Sequence, residues 1–189
     1  MSGYGSIWVK INDPEIDLPN VRDGYNPNAS LPEGAAFACA VKNADDAETP
    51  TEQMEELSQR FGEAIYMEVQ TTVDFFIYSH WRDGELLREI QYSADAGWYD
   101  LQGEDEAWEK RLLSEEERQR QLSYLDLEHL ATKPEWADEL AEAQRTAETL
   151  EQVWAGQVLV EDSFYPMATA SELYEIVSQT FGLASPYLP

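Results

Sequence analysis

Tyr78, His80 and Glu89 are the residues of this sequence best placed by type and spacing to handle protons. Tyr78 and His80 alternate along one run of residues. The Asp83-Gly84 pair just beyond them is a strong two-residue hairpin signal, because both central positions of such a turn need positive φ. In the register that turn predicts, Trp81 faces Leu86, Ser79 faces Arg88, Ile77 faces Ile90 and Phe75 faces Tyr92. The other face pairs His80 with Leu87, Tyr78 with Glu89 and Phe76 with Gln91. A histidine beside a glutamate can shuttle protons near neutral pH; the plainer outcome is a surface hydrogen bond. Trp98 and Trp108 form a second candidate set, lying among Glu104 and Glu109 where a strand gives way to a helix. Exposed, such aromatics anchor interfaces; buried, they close a corner of the core.

Other chemistry finds little support. His80 and His129 are the two histidines, and neither has a second His or Cys at zinc-ligand spacing. Cys39 is the single cysteine, flanked by Phe37, Ala38, Ala40 and Val41, so no intramolecular disulfide forms and a small core residue is expected. There is no glycine-rich phosphate loop, nucleophile elbow or dinucleotide fingerprint. The acidic run 43–48 lacks the central glycine of a calcium loop. No catalytic residue, metal or cofactor is assigned on these grounds. Acid/base catalysis needs two carboxylates in unlike environments, and among 38 acidic residues the sequence does not single out a pair.

The elements that would position these residues are legible. A strand opens at 6–11, with Ile7, Val9 and Ile11 on one face and Trp8 and Lys10 on the other. Residues 12–34 carry four prolines and read as a functional loop or a wrapped surface segment. A buried strand is expected at 35–42. A helix over 49–62 opens on a Thr49/Glu52 capping box and stops at Gly62. Residues 63–102 alternate as an antiparallel meander. A charged helical stretch follows over 104–156, with capping boxes at Ser114/Glu117 and Thr132/Glu135. Its last helix carries a seam of Trp136, Leu140, Ala143, Ala147, Leu150 and Trp154, which suits an intramolecular packing face, with a dimer seam as the alternative. Residues 157–161 are expected to add a strand. The closing helix over 169–182 opens on Thr169/Glu172 and repeats seven residues of the 49–62 helix in register; duplication is one account, and the shared grammar of well-formed helices is the plainer one.

Charge restricts the partners. The 38 acidic and 12 basic residues give a net charge of −26, which repels a phosphate backbone and argues against nucleic acid. The excess runs along the chain: residues 101–156 hold fifteen acids and six bases, and 157–189 hold four acids and none. No apolar run reaches membrane-span length, and no secretory leader is evident at residues 1–12, so a soluble, cytoplasmic protein is expected.

The expected fold is α+β: one domain with a sheet core at about 63–102, a helical part at about 104–156 and a C-terminal helix at about 169–182, the antiparallel meander being packed on one face by the helices. The expected function is non-enzymatic, an acidic interaction protein of inhibitor, immunity or antitoxin type meeting a cationic protein, as a monomer or weak homodimer. Tyr78, His80, Glu89, Trp98 and Trp108 are its candidate binding residues. A hydrolase or transferase using Asp, Glu or Tyr is the rival from another class. An accessory domain of a salt-adapted cell is the third.

Overall fold

The computed structural model describes residues 3–11, 26–27, 36–43 and 50–183. The expected Thr49 cap, residues 44–48 of the acidic run and all of the 12–34 segment except 26–27 lie outside the described residues. Seven strands form one sheet: β1 (Gly3–Lys10), β2 (Asn26–Pro27), β3 (Phe37–Asn43), β4 (Glu63–Gln70), β5 (Phe75–Arg82), β6 (Glu85–Ser93) and β7 (Gly97–Gly103), in the order β2-β3-β1-β4-β5-β6-β7. Every neighbouring pair is antiparallel. The α+β meander of the sequence reading is therefore present, extended by β1 to β3 on its β4 side.

Strand alternation sends two sets of apolar residues to opposite faces, and each face has its own helix. Helix α1 (Thr51–Phe61) lays Met54, Leu57 and Phe61 on Ile7, Val9, Tyr66, Ile77 and Trp81. Helix α6 (Ala170–Phe181) lays Leu173, Tyr174 and Val177 on Trp8, Ile65, Met67, Phe76 and Tyr78. The expectation that the helices share one face is thus corrected. Both alternating sets of β4 and β5 are mostly apolar, so neither face is left to water. The two helices with similar sequences are the ones that close the opposite faces. Thr169 and Glu172 form the expected reciprocal cap of α6, and Gly62 and Gly182 take the positive φ of helix ends.

Three other elements depart from expectation. Residues 104–108 are loop, and α2 is the single turn Glu109–Leu112, because Glu106 and Glu109 are drawn inward by side chains of the sheet. The Thr132 hydroxyl donates to the His129 carbonyl at 2.8 Å, so Thr132 closes the end of the short helix before it and does not form the expected N-cap. Instead, a 3-10 turn (Pro134–Trp136) leads into α5 (Ala137–Gly156). Of the α5 seam only Leu150 and Trp154 are buried, with Val153 added, against Leu113 and the half-buried Leu122 of α3 (Glu115–Ser123). This helix packs on α3 and on α4 (Leu127–Ala131) as an arm. Residues 157–161 form no strand; the segment after them makes two backbone bonds to Trp98 of β7.

Candidate functional site

The Asp83-Gly84 turn has the expected positive φ at both residues, and Trp81 faces Leu86 as predicted. One residue later the register shifts. A bulge between His80 and Trp81 leaves Leu87 unpaired, so His80 faces Arg88, Ser79 faces Glu89, Tyr78 faces Ile90 and Phe76 faces Tyr92. A one-residue slip sends every side chain beyond it to the other face. The physical reason is apolar: the shift brings Ile90 and Tyr92 into the core with Phe76, Tyr78, Trp98 and Trp108.

The bulge also anchors the loop that supplies the missing acid. The Leu87 carbonyl, released from the ladder, accepts from the Glu104 amide at 3.2 Å. Gly103 passes so close to it, at φ +85°, that a Cβ would stand 1.9 Å from the Leu87 oxygen. Arg88, turned inward by the bulge, donates to the Gly103 carbonyl at 3.1 Å and grips both oxygens of Glu109 at 3.0 and 2.6 Å. Glu109 in turn accepts from the Glu106 amide at 2.8 Å, which aims the Glu106 carboxylate at His80.

His80 is 2 % exposed and lies between two carboxylates. Its Nδ1 is 2.5 Å from Glu106 and its Nε2 is 2.9 Å from Glu63, the first residue of β4. Glu106 also accepts from the Tyr78 hydroxyl and, at 3.1 Å, from the Trp108 indole. Glu63 further holds Lys10 at 2.7 Å and Arg82 at 3.1 Å. Burial would raise the Glu63 carboxyl, but Lys10, Arg82 and His80 override it and bring its pKa down to about 2. Burial and the Glu106 charge push the Tyr78 hydroxyl well above its ordinary value. Burial also raises Glu109, against the pull of Arg88.

Of the five sequence candidates, Tyr78 and His80 do meet, through Glu106. Glu89 pairs with Ser79 and so stands on the opposite face of the sheet, where burial and Asp100 raise its pKa. Trp98 and Trp108 are fully buried, their indoles bound to the Pro166 carbonyl and to Glu106, so neither offers an exposed anchor. Glu63, Arg88, Glu106 and Glu109 are the residues the sequence reading missed. A charged residue interrupting an otherwise apolar strand face, as Arg88 does once the bulge is allowed, was the one usable signal.

Three members of this network, His80, Arg82 and Glu106, line an open cleft of about 590 Å³ between the β5–β6 hairpin, the 103–107 loop and the end of α6. Leu86, Leu87, Ala107 and Phe181 give it apolar walls, and the Phe181 ring stands edge-on to His80 with centroids 5.2 Å apart. Glu104 and Asp105 are exposed at its rim. Among the described residues no group of three or more His, Cys, Asp or Glu could hold a metal ion, and no helix is long and apolar enough to cross a membrane.

A protein-family model described as "Family of unknown function (DUF6928)" matches residues 29–143, which include Glu63, Tyr78, His80, Arg88, Glu106 and Glu109. No curated protein and no solved structure matches the chain.

Proposed function

The chain belongs to that family of unknown function, and with this as the starting point we propose that it acts as a non-enzymatic interaction protein whose acidic surface receives a cationic protein partner. An inhibitor, immunity or antitoxin-type role fits such a surface. The observation that carries the reading is the saturation of the His80 network beside an acid-rimmed cleft. Both nitrogens of His80 and both oxygens of Glu63 and Glu106 are already bonded within the chain. A general base must present a reachable lone pair to its substrate, and the His80 and Glu63 side chains, 3 % and 7 % exposed, are engaged in internal hydrogen bonds instead.

What the cleft does offer is apolar wall, from Leu86, Leu87, Ala107 and Phe181, under the carboxylates of Glu104 and of Asp105, which stands 3.2 Å from Arg88, while the one cation among the described residues of the lining, Arg82, is held by Glu63. A lysine or arginine side chain has that division: an aliphatic stem for the wall and a charged head for the rim. The rival hydrolase or transferase reading requires a cleft carboxylate with a raised pKa. Among the described residues the carboxylates so raised are Glu89 and Glu109, and neither lines the cleft.

Calorimetric titration with an arginine-containing basic peptide at low and high salt tests the proposal. Binding that weakens steeply with salt and falls in the Glu104→Gln/Asp105→Asn variant is expected. Affinity that ignores both salt and that variant would overturn it.

A further inference from the structure

Among the described residues, the large apolar side chains that stand exposed are Val73, Tyr124, Val158, Val160, Phe164 and Met167, at 39–61 %. Four of them lie within residues 158–167, and the neighbours of the other two bond that segment or its continuation. Gln121, one turn before Tyr124, donates to the Met167 carbonyl at 2.6 Å and accepts from its amide at 3.1 Å. Asp74, next to Val73, accepts from the Ala170 amide at 3.4 Å. Four of the six exposed large apolar side chains among the described residues of a very acidic chain therefore lie on one strip, residues 158–167.

The strip is held from beneath. Leu159, Pro166 and Ala168 turn inward while Val158, Val160, Met167 and Thr169 beside them turn out. Trp98 donates its backbone amide to Ser163 and accepts from Asp162, both at 2.9 Å, and its indole donates to the Pro166 carbonyl at 2.9 Å. Apolar side chains presented together on an anchored backbone mark an interaction surface rather than incidental exposure. Binding there would need little ordering.

Charge decides the occupant. Glu161 and Asp162 are exposed between the apolar residues, and residues 157–189 contain no Lys or Arg. A second copy would bring the same net charge of −26, and an anionic membrane is repelled in the same way. We propose that this strip docks a basic amphipathic segment of a partner protein, its apolar row on Val160, Phe164 and Met167 and its Lys or Arg residues on Glu161 and Asp162. The proposal rests on the cationic-partner reading and adds to it a second surface, made of different residues from the cleft.

The test uses two dye-labelled peptides of identical Leu and Lys content, one patterned as an amphipathic helix and one scrambled, followed by fluorescence anisotropy. The patterned peptide is expected to bind at least about tenfold more tightly. Val160→Ser/Phe164→Ser/Met167→Ser should abolish that preference, while Glu104→Gln/Asp105→Asn should keep it. Phe164→Ser alone, with thermal melting as the fold control, serves if the triple variant does not fold. Equal binding of the two peptides, or a preference that survives the serine substitutions, overturns the strip and leaves the cleft reading standing. Absence of any salt-sensitive binding by either peptide overturns both. Self-association, or sedimentation with phosphatidylglycerol vesicles, that the serine variant removes would assign the strip to another occupant and overturn the proposal.

Discussion

Arg88 and Arg118 each bridge two carboxylates, and the shorter contact is about as close in one as in the other. Arg88 stands 2.6 Å from Glu109 and 3.2 Å from Asp105; Arg118 stands 2.6 Å from Glu115 and 2.5 Å from Glu151. Their surroundings differ: the Glu109 side chain is 2 % exposed, that of Glu115 68 %. Glu63 and Glu115 make the same point from the acid side. Both carboxyls are brought to about 2, Glu63 against its own burial and Glu115 chiefly by the Arg118 hydrogen bonds in water. Solvent and salt screen the arm's pairs and reach the Arg88–Glu109 pair far less. A contact distance is therefore no guide to what an ion pair contributes here; its access to water is.

That contrast can be broken by experiment, beginning where the effect is largest. Arg88→Ala leaves the Glu109 carboxylate buried without its cation, and should lower stability in urea unfolding by about 3–5 kcal/mol. Arg88→Met combined with Glu109→Leu should recover part of that loss. A single substitution with a surface-sized effect would place the sheet network in the same class as the arm.

Glu63 supplies a pH signature. Its folded pKa of about 2 lies below the ordinary 4.5, so its contribution is complete above about 4.5 and is lost as pH falls from there toward about 2. The stability gap between the native chain and Glu63→Gln should be about 3 kcal/mol at neutral pH and close across that window. A gap independent of pH would mean that the loss reflects shape and not charge.

Gly103→Ala forces a Cβ against the Leu87 carbonyl at positive φ and should cost about 2 kcal/mol. It also moves the loop that carries Glu106, so basic-peptide affinity should fall with it. The smallest effect belongs to the arm: Arg118→Ala should leave the urea midpoint unchanged within error at any salt concentration. A clear loss there would mean that α3 and α5 are held together by charge rather than by Leu113, Leu150 and Trp154.

Sequence pattern went furthest where structure is local. The alternation of β4 and β5, the Asp83-Gly84 turn, the Ser114 and Thr169 caps and the glycine helix ends all depend on residues within a few positions of one another. The candidate site was half legible, since Tyr78 and His80 share a face on any register. Their acid was assigned to Glu89 because an unbulged hairpin demands it, while Glu106 lay in a stretch whose spacing looked helical. Trp98 and Trp108 sit beside acids in sequence, yet their indoles point into the core.

By itself the chain determined its acidity, its strand periodicity, its turn and most of its helix ends, because these follow from side-chain type and near-neighbour backbone preference. Tertiary structure decided where the register slips, which helix covers which face and which carboxylates enclose His80. A bulge costs one ladder position locally and is settled by gains elsewhere: the burial of Ile90 and Tyr92, and the new donor that Glu104 gives to the Leu87 carbonyl. Those gains come from residues far away in the sequence, and no window along the chain contains them.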